Sequence, residues 1–184
     1  MGRLLLAVCG VLYAAYCFLN FFMLGQDGFL TLRTSVHRGT VVEMGILALA
    51  AGVCTIAAAC WSSRKSKAWL LAVNGLACSV LGLILTFWKG SLSFSTIALL
   101  IVVMAVSVGV YDLATARTSW LMRAAGVVSA AFALAFLAFV LGWLKLDPQA
   151  PAQSLHWLGS YFGFSALCML WLALRSHTST VAPR

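Results

Sequence analysis

Apolar residues run through this chain in six long stretches that short polar segments separate. A helix rises about 1.5 Å per residue, so about 20 apolar residues cross a hydrocarbon core of roughly 30 Å. In lipid the backbone has no water to bond, so each stretch must be helical. The pattern predicts an all-α polytopic membrane bundle of six transmembrane helices in one domain, residues 1–184, with a short polar tail at 175–184. The predicted spans are 4–24, 41–60, 68–88, 94–114, 120–143 and 155–174.

The composition supports a bundle in lipid. Hydrophobic residues make up 63% of the chain and charged residues 9%, against roughly 45–50% and about 25% in soluble domains. The net charge is +8, but the basic residues lie in short loops, so topology explains them better than nucleic-acid binding. The first apolar stretch exceeds the roughly 7–15 residues of a signal peptide, which indicates a retained span. The expected partner is the lipid bilayer, with no nucleic acid.

The loop charges predict the orientation. With the amino terminus inside, the inner segments hold eight Lys or Arg residues and the outer segments hold four. Because Lys and Arg favour the cytoplasmic side, both termini are predicted to be cytoplasmic. The seven tryptophans all fall near span ends, where an apolar ring can keep its N–H wet.

The odd-numbered spans share a pattern. In each, a large apolar residue is followed by glycine six positions later, as in Leu4 and Gly10, Trp69 and Gly75, and Trp120 and Gly126. The second and fourth spans also match, at segments 52–59 and 109–116. The pattern predicts three helical hairpins inserted in the same direction. These parallel repeats differ from the inverted repeats of many secondary transporters.

Small residues recur at a spacing of four, which lets helix backbones approach closely in membranes. Such pairs can serve packing within the bundle, which we favour, or a homo-oligomer interface. The pairs are Ala48/Gly52, Gly75/Ser79, Cys78/Gly82, Ala105/Gly109 and Ser129/Ala133.

Candidate chemistry inside the membrane is sparse. Glu43, Asp112 and Arg123 lie near span ends, so we expect them to reach an interface. Among the deeper polar residues, Asn74 is the candidate for an interhelical polar contact. The six cysteines lack metal-ligand spacing and are expected to be small buried hydrophobes. No catalytic, cofactor-binding or metal site is predicted, and the chain is expected not to be an enzyme. The other deep polar residues are Asn20, Thr55, Ser79, Ser107, Ser129 and Ser165.

Five titratable residues fall on the predicted outer side. These residue types titrate between about pH 4 and 7, so an outer set could sense acid. A solvated loop surface is the simpler interpretation, and the residues alone favour it. The candidate outer-face titratable cluster is Asp27, His37, Glu43, Asp147 and His156.

The six short-looped spans, the three hairpins and the Trp-x5-Gly starts at Trp69 and Trp120 resemble the HdeD family. This group of small bacterial inner-membrane proteins is also called domain of unknown function 308. The resemblance implies a bacterial inner-membrane location and, as in some members, a role in acid resistance or stress response. It implies no catalytic residues.

Three functions follow as hypotheses. The first is a non-enzymatic membrane protein of the HdeD type, with an acid-stress or envelope-stress role. The second is a small transporter or channel subunit, which needs a polar path through Asn74, Ser79, Ser107 and Ser129 on facing helices. The third is a membrane enzyme acting on lipid or quinone, which needs Glu43 and His156 in one pocket.

Overall fold

A computed structural model of the chain describes residues 2–23, 35–61, 65–87, 94–115, 120–144 and 152–178. Within these ranges the chain forms six α-helices and no strand. All six are long and apolar enough to cross a membrane, which confirms the predicted six-helix membrane architecture. The helices are α1 (Gly2–Met23), α2 (Ser35–Cys60), α3 (Lys65–Phe87), α4 (Phe94–Thr115), α5 (Trp120–Val140) and α6 (Ala152–Thr178).

Some helix boundaries differ from the apolar stretches. Helix α2 begins at Ser35 rather than at residue 41, because a helix can continue into polar residues beyond the apolar run. Helix α5 ends at Val140 rather than at residue 143. There Gly142 has a φ of 72°, and the N–H of Trp143 donates to the carbonyl of Ala138 at 2.9 Å. This is a Schellman cap, in which glycine takes a left-handed conformation.

The helices form an antiparallel ring. Each of α1 to α4 packs beside the next helix in sequence, and α6 packs against α1. Gly10 of α1 lies against Leu170 of α6, and Gly159 of α6 lies against Phe21 of α1. These two pairs show that α6 runs opposite to α1. We call the two ends of the bundle the Gly2 end and the Met23 end.

Glycine brings the backbones of α2 and α3 into direct contact. A Cβ placed on Gly82 would lie 2.4 Å from the backbone nitrogen of Leu49, and one on Gly52 would lie 2.6 Å from that of Ser79. In the α4–α5 pair, the Ser129 hydroxyl donates to the Ala105 carbonyl at 2.7 Å. The small-residue faces are therefore buried within one chain, as we expected. The predicted homo-oligomer and the three-hairpin repeat stay predictions.

The outward faces of the helices are apolar, and the described tryptophans lie near helix ends. Exposed leucines and valines cover every helix, such as Leu4, Leu134 and Leu167. Trp61, Trp120 and the other described tryptophans are exposed or half-exposed. The interior is distinguished from this surface by its small residues and its polar-tipped aromatic side chains.

Candidate functional site: an interior polar cluster

Six buried side chains inside the ring carry hydroxyl or amide atoms that make no hydrogen bond within the described part of the chain. Each of the six is at most 3% exposed. They come from α1, α3 and α6. We call them the interior polar cluster: Tyr13, Tyr16, Asn20, Asn74, Tyr161 and Ser165.

Helix α1 contributes three of these residues on one face. Tyr13, Tyr16 and Asn20 follow a spacing of three and four residues, which places them along one side of a helix. The Tyr16 hydroxyl approaches the Asn20 amide without reaching hydrogen-bond geometry. The polar side of α1 therefore extends from the middle of the bundle toward the Met23 end.

Helices α2 and α3 complete the side that faces Tyr13. The Tyr13 hydroxyl lies near the Cys78 thiol and the Thr55 hydroxyl. Those two groups are already engaged, because the Cys78 thiol donates to the Ala48 carbonyl at 3.1 Å and the Thr55 hydroxyl donates to the Ala51 carbonyl at 2.8 Å. Asn74 lies one helical turn from Cys78 on the same buried face of α3.

Helix α6 contributes the opposite wall. Tyr161 and Ser165 are one turn apart, and the Tyr161 hydroxyl lies near that of Ser165. The ring of Phe162 fills the space toward α1, with its centroid 4.0 Å from that of Tyr16 and 5.5 Å from that of Tyr13. Aromatic faces and polar tips thus alternate inside the bundle.

Burying these polar groups without hydrogen bonds lowers the stability of the bundle, and packing alone does not require them. A buried polar group without a hydrogen bond costs about 1–3 kcal/mol, and nearly all such groups in native proteins have a partner. The cluster offers hydroxyl and amide groups, which both donate and accept hydrogen bonds. Chemically, it can bind an uncharged polar group and orient it against aromatic rings.

One charged residue near the cluster departs from expectation. We expected Asp112 to reach an interface, but its side chain is only 1% exposed. It lies on the inward face of α4 together with Met104, Ala105 and Val108. Its carboxyl is within electrostatic range of the Tyr161 hydroxyl. A position near the end of a span does not fix which face a residue occupies, and this explains the error.

The structure places only some of the candidate site residues predicted from sequence. Asn74 is buried, but its amide makes no hydrogen bond within the described residues, so its interhelical contact stays a prediction. Glu43 is exposed. His156 is also exposed, and its ring meets that of Phe21 edge-on at 5.5 Å.

The remaining members of the outer titratable cluster lie outside what the structure describes. Asp27 and Asp147 lie outside the described residues, and His37 belongs to α2 without a described side chain. Convergence of these residues with Glu43 and His156 therefore stays a prediction.

The serines of the predicted polar path have other roles. Ser79 donates to the Gly75 carbonyl and Ser107 to the Met104 carbonyl, each at 2.8 Å within its own helix. Ser129 donates across to α4. The unpaired groups lie instead on α1, α3 and α6, where Asn74 alone coincides with the predicted path.

The tyrosines were not predicted from sequence, because the candidates were groups that titrate near neutral pH and the smaller polar residues Asn, Ser and Thr. A usable signal was present. Tyr13, Tyr16 and Asn20 share one helical face, and so do Tyr161, Ser165 and Cys168. Polar-tipped residues in the middle of apolar spans at this spacing indicate an interior face.

No family model, curated protein or solved structure matches this chain. Among the residues that the structure describes, no group of three or more His, Cys, Asp or Glu side chains is placed to hold a metal ion. The interior polar cluster is therefore the feature of the molecule that points to a function.

Proposed function

We propose that this chain is a non-enzymatic integral membrane protein that binds a small uncharged molecule at the interior polar cluster, as a small transporter would. One observation carries the proposal: six buried side chains on α1, α3 and α6 present hydrogen-bonding atoms that the described protein does not satisfy. A ligand, or water that exchanges with it, would supply the missing partners.

The proposal includes the orientation and the setting of the bundle. Both termini lie on the cytoplasmic side, because eight of the twelve Lys and Arg residues then fall inside. The three-hairpin repeat follows from the pattern that the spans share, and a bacterial inner-membrane location follows from the resemblance to the HdeD family.

The test is native mass spectrometry of the protein extracted from its own membranes. We expect the wild type to carry an adduct of discrete mass, and Asn74→Leu to carry about tenfold less, since the substitution removes two hydrogen-bonding atoms at nearly the same volume. Ser107→Ala is the matched control, because Ser107 is buried but bonded within its own helix. Equal adducts on the wild type and on Asn74→Leu would contradict the proposal.

A second candidate is the acid-stress role of the HdeD type. Glu43 and His156 favour it, because both side chains are exposed near the Met23 end of the bundle, which the loop charges predict to be the outer end. We expect deletion to lower survival at pH 3, and the double variant Glu43→Gln, His156→Gln to restore it only partly. Full restoration of survival by that variant would show that Glu43 and His156 are not needed for the acid-stress role.

A further inference from the structure

Helices α5 and α6 meet in a way that differs from the other neighbours in the ring. Within the described residues, every other neighbouring pair packs directly side by side, whereas the backbones of α5 and α6 stay apart. Aromatic side chains bridge the gap between them. Each helix supplies three rings at positions i, i+4 and i+7, and we call these six the aromatic seam: Phe132, Phe136, Phe139, Trp157, Tyr161 and Phe164.

The rings of the seam form a continuous series. The Phe132 centroid lies 5.7 Å from the centroids of both Tyr161 and Phe164. The Phe136 centroid lies 6.2 Å from that of Tyr161, and the Phe139 centroid lies 5.8 Å from that of Trp157. These are the spacings of ordinary aromatic pairs.

Burial across the seam is graded from lipid to interior. Trp157 is 39% exposed, whereas Phe136 and Tyr161 are essentially buried. Phe132 and Phe164 are half-buried. The seam therefore leads from the outer surface of the bundle to the interior.

Tyr161 belongs to both features. Its ring packs against Phe132 and Phe136 in the seam, and its hydroxyl is one of the unpaired groups of the interior polar cluster. A molecule that passed between α5 and α6 would meet this hydroxyl as it reached the cluster.

The seam is also the interface that side-chain motion alone can open. Separating α2 from α3 requires whole helices to move, because Gly52 and Gly82 hold the two backbones in contact. Rings that bridge two separated backbones need only change rotamer.

We propose that the aromatic seam admits the ligand from the lipid phase, and that the ligand is a neutral amphiphile with a hydrogen-bonding head and an apolar chain. The inference rests on the proposed function. The head would bind at the cluster, while the chain would lie between the rings. A neutral head follows from the hydroxyls and amides of the cluster, since an uncompensated charge buried there would be costly. Outside the cluster, the titratable groups close to Tyr161 are Cys78, Cys168 and Asp112.

The experiment uses the full chain in lipid nanodiscs and a dodecanol that carries a photoreactive diazirine beside its hydroxyl. Adducts are mapped by mass spectrometry, and labelling is followed over time. We expect adducts at the seam and at Tyr161. Unlabelled 1-dodecanol should compete with them, whereas glycerol and dodecyltrimethylammonium should not.

Three variants separate the route from the site. Tyr161→Phe keeps the ring and removes the hydroxyl, so occupancy should fall about fivefold. Phe132→Ala opens the seam, so labelling should become about threefold faster; the rate is the readout for this variant, because its ring would also contact the bound chain. Phe164→Ala should act like Phe132→Ala and serves if that variant fails to fold. Leu134→Ala, on the exposed side of α5, is the control and should change neither quantity.

The outcomes are distinct. If Tyr161→Phe lowers occupancy but neither seam variant alters the rate, the lateral route is wrong and the binding site stands. Competition by dodecyltrimethylammonium would contradict the proposal that the head group of the ligand is neutral. Adducts confined to outward residues such as Leu134, and equal in wild type and Tyr161→Phe, would show that the ligand is not a neutral amphiphile. The proposed function would then be tested separately, by whether the wild type carries a native adduct.

Discussion

Each side chain of the interior polar cluster has a polar group that must give up water when the bundle forms. Asn74 and Tyr161 are at most 1% exposed, yet their polar atoms make no hydrogen bond within the described residues. Such residues are kept at a cost in stability, which is typical of sites selected for binding. Stability and binding should therefore respond in opposite directions to the same substitution.

Asn74→Leu tests this relation. Removing the unpaired amide at nearly constant volume should raise the free energy of unfolding by about 1–2 kcal/mol. The measurement is equilibrium unfolding in bicelles, after ligand has been removed. Ser79→Ala is the control and should stay within about 0.5 kcal/mol, because the Ser79 hydroxyl is bonded to the Gly75 carbonyl of its own helix. A fall of more than about 1 kcal/mol for Asn74→Leu would show that its amide has a structural partner.

The sequence predicted how far along a span each residue lies better than which face of the helix it occupies. It placed Asn74 well inside the third span, and this residue is indeed buried. It did not reveal that Asp112 faces inward or that the tyrosines converge. In a helix that is apolar on all sides, the hydrophobic pattern does not distinguish the lipid-facing side from the interior. The tertiary neighbours decide which side is buried.

At the scale of helices, the bundle contains interfaces of two kinds. Glycine brings α2 and α3 into backbone contact at Gly52 and Gly82, while rings such as Phe132 and Phe139 separate α5 from α6. Close packing of backbones tolerates no added volume, whereas ring packing can be rearranged. The two kinds of interface should respond differently to substitution.

Gly82→Ala should be more damaging than Gly109→Ala. A Cβ at Gly82 would meet the backbone of Leu49 at 2.4 Å, whereas one at Gly109 would first meet the Ser129 side chain at 3.3 Å. We expect a loss of about 2–3 kcal/mol for Gly82→Ala and less than about 1 kcal/mol for Gly109→Ala. Unfolding in mixed micelles measures both. Equal losses would argue against backbone contact between α2 and α3.

The existence of the helices and the use of small residues could be predicted from sequence, but not which helices pair most closely. Length and hydropathy determine a span, and both are local properties. The sequence repeat groups α5 with α6, whereas α5 packs beside α4. Pairing depends on how side chains fit across the whole ring, and no single span contains that information.

At the scale of the whole molecule, its orientation in the membrane can be tested. The distribution of Lys and Arg predicts both ends on the cytoplasmic side. Reporter fusions that report cytoplasmic or external location, placed after Leu24 and after Arg184, should therefore give opposite signals. Fusions placed before Met1 and after Arg184 should agree. Different signals from the two termini would contradict an even number of spans. An external signal from both would show that the orientation is opposite to the predicted one.

The contact between α1 and α6 has a consequence for the synthesis of the protein. Gly10 of α1 is synthesised 160 residues before Leu170, its neighbour on α6. At about 5–20 residues per second the first helix waits on the order of ten seconds. Throughout that interval Tyr13, Tyr16 and Asn20 lack the wall that α6 later provides. The insertion machinery, or provisional pairing among the earlier helices, must shelter this face until the last helix closes the ring.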